Sequence, residues 1–192
     1  MLVARARHVC RALWVQPMAD ALGLEPGVVR LADYDARWPL LFAAEEERIR
    51  SQCRTLALRL EHVGGTSIPG MCAKPVLDIA AAHPRAARIE DYVAAFVRAG
   101  YQFRGERGLP GRQYFRRGQP RTYHVHLVEE DSQLWRDYIA FRDYLRAHAE
   151  ISDRFAEVKR ALAARFGTDR EGYTNAKSPH VQEILRLARG AV

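Results

Sequence analysis

The chain has 192 residues, 48% hydrophobic, 28% charged and 9% aromatic, with 13 Gly and 9 Pro. That composition excludes a wholly disordered, collagen-like or coiled-coil chain and suits one domain with a substantial core. Thirty Lys+Arg against 23 Asp+Glu leave a formal charge of +7, so the expected partners are anions: nucleotide, nucleic acid or acidic protein. No apolar run approaches the roughly 18 residues that a membrane span needs. Cys10, Cys53 and Cys72 lack paired close spacing, which indicates neither a disulfide framework nor a cysteine zinc site and fits a reducing cytoplasm. The cations are almost all Arg; the lysines are Lys74, Lys159 and Lys177.

Residues 1–26 read as an N-terminal extension: a poorly ordered stretch or the product of a misplaced start codon, a targeting segment with Arg5, Arg7 and Arg11 ahead of the first acid, Asp20, or an extra helix. Residues 27–192 read as one α+β domain: a mixed β-sheet flanked by helices, with a helical C-terminal part over about 131–190. Val28, Val29 and Leu31 suggest a short strand or an extended entry, and Tyr34-Asp35 a turn. Trp38-Pro39 opens a helix, because Pro is tolerated in the first helical turn. Its approximate period continues from Leu40 to Arg59. Leu60–Val63 reads as a strand ending at Gly64-Gly65, and 75–82 as a buried strand carrying one acid, Asp78. Ile89–Ala99 reads as a helix with Ile89, Val93, Phe96 and Val97 inward, stopped by Gly100. A meander of strands is expected at 101–104, 113–117 and 122–129. Three helices follow: one with the stripe Leu134, Tyr138, Phe141 and Leu145, one with Phe155, Val158, Leu162 and Phe166, and a third from about Pro179 to Arg189.

The most informative stretch runs from Glu61 to Ala80. A strand entering Gly64-Gly65 leaves backbone amides open to a ligand, and Thr66 and Ser67 add hydroxyls, so the turn can cradle phosphates. About a dozen residues on, Asp78 offers the hard oxygen that Mg²⁺ or Mn²⁺ prefers. A phosphate cradle beside an acid is what metal-assisted phosphoryl or nucleotidyl transfer requires. The stretch is neither a Walker loop nor a dinucleotide fingerprint, since Lys74 follows Ala73 and precedes Pro75.

In this stretch the chain resembles the glycine–serine signature of the nucleotidyltransferase superfamily and, more closely, the GrpB family. The resemblance rests on Tyr34-Asp35, Trp38-Pro39, His62-Val-Gly-Gly-Thr-Ser-Ile-Pro-Gly70, Ala73-Lys74-Pro75, Asp78-Ile79, Gly100-Tyr101, Tyr123-His124-Val125-His126-Leu127, Phe141-Arg-Asp-Tyr-Leu-Arg146, Tyr173-Thr174 and Lys177. It implies the nucleotidyltransferase fold, binding of a nucleoside triphosphate with a divalent metal, and transfer of a nucleoside monophosphate to an unidentified acceptor. On that reading Asp78 is the catalytic metal ligand, Gly64, Gly65, Thr66, Ser67 and Lys74 hold phosphates, and Arg112, Arg117 and Lys177 neutralise charge.

Two departures stand out. Active nucleotidyltransferases place two acids two residues apart on one strand face; here the pair is Asp78 and Ala80. The signature reads Gly-Ser, and here it reads Gly64-Gly65. His124 and His126 share a strand face and offer a compensation, since with Asp78 they would form a two-histidine, one-carboxylate set for Zn²⁺, Mn²⁺ or Fe²⁺. The alternative is two histidines that line a pocket or serve structure alone. His62 reads as an orienting or structural group. The segment 98–121 carries seven Arg against Glu106; it is either a phosphate clamp through Arg112 and Arg117 or a solvated basic edge that discourages strand pairing. Two rivals to the transferase therefore stand: a non-catalytic module for a nucleotide, coenzyme or RNA, and a metal-dependent hydrolase on Asp78, His124 and His126.

Overall fold

The computed structural model describes residues 21–190; most of the expected extension, residues 1–20, lies outside them. In chain order come α1 (Trp38–Gln52), β1 (Arg59–Val63), β2 (Leu77–His83), α2 (Ile89–Arg98), β3 (Gln102–Phe103), β4 (Gln113–Arg117), β5 (Tyr123–Glu129), α3 (Gln133–Ala147), α4 (Ala149–Arg165) and α5 (Arg170–Gly190). The five strands form one mixed sheet in the order β1-β2-β5-β4-β3. Strands β2 and β5 pair in parallel, and the other neighbours are antiparallel. The fold is the α+β sheet with a helical C-terminal part that the sequence implies. No helix among the described residues is long and apolar enough to cross a membrane.

Strand alternation divides the sheet into two chemically different faces. Ile79, Ala81, Phe115, Val125 and Leu127 point to one side, where Ile49 of α1 and Tyr92, Ala95 and Phe96 of α2 complete an apolar core. The one buried acid here is fully engaged: Glu45 accepts hydrogen bonds from Arg48, Tyr101 and Arg117. Asp78, Ala80, His124 and His126 point to the other side, which α3 covers through Trp135, with Tyr138 and Ile139 at its margin. A further apolar cluster, of Ile68, Met71, Leu145, Phe155 and Ile184, fixes α3, α4 and α5 to the loop after β1.

Several boundaries differ from the sequence reading, each for a local reason. Of the two readings for residues 28–31, the strand does not form; Val29 N–H donates to Gly167 O and Ala32 bridges Ala73. Helix α1 stops at Gln52 rather than Arg59, because the chain turns after Cys53 and delivers Leu56 and Leu58 to the same core from a loop. The inner face of α2 is rotated toward Tyr92 and Ala95, leaving Val97 49% exposed, because the Tyr92 hydroxyl donates to Ala57 O. Helix α5 starts at Arg170, upstream of Pro179, which sits inside it. Asp169 Oδ1 accepts the Gly172 N–H at 2.8 Å, and buried Tyr173 anchors that first turn.

Trp38 is fully buried and joins α1 to the segment before it, since its Nε1 donates to Ala21 O at 3.1 Å. Close by, Leu24 and Arg121 exchange backbone hydrogen bonds. Trp38→Ala should lower stability by about 3–5 kcal/mol, the usual cost of emptying a site of this size. A urea titration checks it, and an unchanged midpoint would show that the 21–24 segment does not depend on this ring.

A candidate phosphate site built from three lysines

Strand β1 delivers the chain to Gly64 with φ +71°, and a single 3₁₀ turn at Gly65–Ser67 follows. A Cβ at Gly64 would stand 2.7 Å from Asp78 Oδ2, so only glycine allows both this backbone and this carboxylate. A Cβ at Gly65 would stand 2.8 Å from the Lys159 amine. A serine there would need that flexible amine to shift and Ala73, whose Cβ would lie 3.1 Å away, to give slightly. The hydroxyls of the turn are turned inward, contrary to the expectation that they face phosphate. Ser67 Oγ donates to Gly64 O at 2.7 Å, and Thr66 Oγ1 lies 3.0 Å from His62 Nε2. Two arginines of α3 hold the turn from behind: Arg142 donates to His62 O and Arg146 donates twice to Ser67 O. His62 is thus structural, stacked on Phe42.

Asp78, at the start of β2, receives both expected histidines. His124 Nδ1 and His126 Nε2 lie 2.9 and 3.2 Å from its Oδ1. Burial pushes the Asp78 carboxyl up, but these two N–H donors outweigh burial and hold it well below the usual carboxylate range. Burial also brings His124 down to about 4, so the imidazole is neutral and Asp78 carries the charge. Arg112 does not reach the cavity. Its guanidinium donates to Glu106 O and Arg107 O and approaches His126 Nδ1 at 3.4 Å, where the Tyr138 hydroxyl also lies, at 3.2 Å. Arg117 lies on the opposite face of the sheet, bound to Glu45.

The cavity that adjoins the turn is about 70 Å³ and is lined by Lys74, Lys159, Lys177, Arg121 and Arg170 around Asp78, with the expected Gly65 and Thr66 of the turn, His124 and Tyr173. All three lysines of the chain therefore meet at one carboxylate. Lys159 donates to Cys72 O, and Lys74 lies over the Tyr173 ring. Burial, reinforced by Lys177 and Arg170, lowers Lys74 to about 7, and burial lowers Lys159 to about 8. Lys177 is lowered too, against the pull of Asp78. Sequence reasoning missed Lys159, Arg121, Arg170 and Tyr173 as cavity residues. The scarcity of lysine in an arginine-rich chain was the available signal for Lys159.

The donor set decides what metal chemistry fits. Ala80, in the place of a second acid, is fully buried among Val63, Val128 and Trp135, so two carboxylate-held ions do not fit. Both imidazoles address Asp78 rather than a common point, and His124 Nε2 is sealed from solvent without a partner. Among the described residues no cluster of three His, Cys, Asp or Glu side chains is arranged to hold a metal. One divalent ion on Asp78, with ligand oxygens completing its shell, does fit, since the Asp78 side chain is 33% exposed.

A mixed sheet, a glycine turn after its first strand and a carboxylate opening the second define an α+β protein with a cationic cavity. The chain belongs to the GrpB protein family, whose model matches residues 28–187. It is 42% identical to a UPF0157 protein of Pseudomonas aeruginosa, over 82% of this chain and 66% of that one, so it spans just under two thirds of that relative. It is 37% identical to a UPF0157 protein of Halalkalibacterium halodurans, over 83% of this chain and 82% of that one. The crystal structure of the conserved protein GrpB from Enterococcus faecalis superposes with a TM-score of 0.76 at 30% identity, covering 83% of this chain and 96% of that one.

His62 and His124 are both lowered to about 4 by burial, against about 6.5 in an unfolded chain. The folded protein then binds fewer protons than the unfolded chain between these values. Their contribution to stability is full above about 6.5 and is lost as pH falls toward 4. Urea midpoints should fall over that window, and His124→Asn, which keeps a donor for Asp78 but does not titrate, should flatten the fall. A midpoint independent of pH from 7 to 4.5 would contradict the buried neutral histidines.

Proposed function

We propose that the chain binds a nucleoside triphosphate together with one divalent ion, its phosphates lying among Lys74, Lys159, Lys177, Arg121 and Arg170 and the ion on Asp78. The gathering of five cations around one carboxylate carries this reading. Buried ammonium groups without counter-charges are costly, and a polyphosphate offers several anionic oxygens in a small volume. The amine–phosphate contacts are point-charge contacts; Arg121 and Arg170 add planar donors at the rim. A divalent ion would neutralise phosphate charge as it reaches Asp78.

Transfer of a nucleoside monophosphate, the activity that family resemblance implies, calls for a second acid where this chain has Ala80. A nucleotide-binding module is therefore the reading the geometry favours, with a coenzyme phosphate as the nearest variant of the ligand. The hydrolase reading has less support, because the imidazoles of His124 and His126 are engaged by Asp78.

Thermal unfolding of untagged protein against ATP, GTP, CTP and UTP, each with Mg²⁺, Mn²⁺, Zn²⁺ or EDTA, tests the proposal. At a hundredfold over the dissociation constant a ligand of the folded state adds about 2.7 kcal/mol. At least one triphosphate should raise Tm in a metal-dependent way, and Lys74→Gln with Lys177→Gln should abolish the shift. No shift with any triphosphate, or an equal shift in the double variant, would overturn it.

A further inference from the structure

The cationic character of the cavity continues past its mouth. Strand register sets two rows of side chains across the site face: Asp78, His124, Arg116 and Gln102, and beside them Ala80, His126 and Tyr114. Alternation adds Arg104 to the end of the second row, its N–H donating to Tyr114 O at 2.8 Å. Helix α3 covers this face over β1, β2 and β5, whereas β3 receives its helix, α2, on the opposite side. The β4–β3 end is left with exposed Gln102 and Arg104 and half-buried Arg116, and exposed Arg107 follows in the next loop.

These arginines differ from those that the fold holds in ion pairs. Arg48 and Arg117 are paired with Glu45, Arg142 with Glu61 and Asp143, and Arg189 with Asp137. Arg104, Arg107 and Arg116 have no ion pair or hydrogen bond through their side chains among the described residues, and Arg116 Nε is buried without an acceptor. Burial and the repulsion of Arg104, Arg170 and Arg107 together lower Arg116 below the ordinary arginine range. The one acid in the loop, Glu106, accepts the Gly111 N–H at 2.7 Å and stays with its own turn. A row of unpaired guanidinium groups thus leads across the sheet to Arg170, Arg121 and the lysine cavity.

We propose that this row binds the backbone of a single-stranded nucleic acid whose terminal nucleotide reaches the cavity. The proposal rests on the reading of the cavity as a phosphate site. A linear succession of unpaired guanidinium groups matches a linear succession of phosphates, for which planar arginine is the suited donor. The small cavity at the end of the row suits the phosphates of a terminal nucleotide and is too narrow for a duplex.

The test is fluorescence anisotropy with an end-labelled 20-residue oligoribonucleotide, over a salt series, on wild type and an Arg104→Gln, Arg107→Asn, Arg116→Gln triple variant. Asn suits the left-handed backbone at position 107 (φ +51°), and an unchanged melting curve verifies that the variant folds. Wild type should bind the single strand, with the triple variant at least tenfold weaker and its salt slope shallower by about 2, as loss of three contacts to a single strand predicts. The triphosphate-induced Tm shift should persist in that variant. No oligonucleotide binding in wild type, equal binding by the triple variant, equal affinity for a blunt duplex, or equal capture of poly-glutamate would each overturn the proposal. Failure of the cavity reading is separately visible: the triphosphate shift is then absent from wild type itself, while the anisotropy reports on the arginine row.

Discussion

A single ionised carboxylate organises this fold. Asp78 stands where β2 begins, takes two imidazole N–H groups on one oxygen, and packs its other oxygen over Gly64. The glycine turn must have its left-handed residue there, since any side chain would strike that oxygen. Arg142 and Arg146 then hold the carbonyls of the turn from α3, and the Lys159 amine fills the room beside Gly65. The carboxylate, the turn, the histidine pair and the C-terminal helices are consequently one arrangement rather than separate features.

The two sheet faces handle charge in opposite ways. Below the sheet, the one buried acid, Glu45, is bonded by two guanidinium groups and a hydroxyl, so nothing is left for a ligand. Above it, five cations line a cavity with one carboxylate, and the excess continues as unpaired arginines along β4 and the loop beyond β3. On the proposed reading the upper face takes an anion from outside, which would raise both the occupancy of charge on the lysines and the stability of the protein.

The elements were largely legible because their signals are local. Pro39 opens α1, Gly64-Gly65 ends β1, and the alternation of Tyr123, Val125 and Leu127 with His124 and His126 fixes β5 and its two faces. The glycine turn beside Asp78, and both histidines upon it, were readable from spacing. What was not readable depended on tertiary partners. Arg117 was chosen for a phosphate by its place in a basic segment, but strand alternation sends it to Glu45 on the far side. Arg112 points toward the site yet is engaged by loop carbonyls. Thr66 and Ser67 turn inward because the turn's own carbonyl and His62 compete for them. Lys159, separated from Asp78 by 81 positions of numbering, joins the site through α4, whose packing no local pattern discloses.

Because the chain has three lysines, all in the cavity, their amines can be followed individually. The most direct test of the account is the titration of the lysine Nζ resonances by nuclear magnetic resonance, each assigned by a Lys→Arg variant, without ligand and with a saturating triphosphate. The account predicts that Lys74 and Lys159 titrate near 7 and 8 without ligand and move upward when phosphate surrounds them. Amines that all titrate in the ordinary lysine range, about 10.4, and do not move with the triphosphate would contradict it.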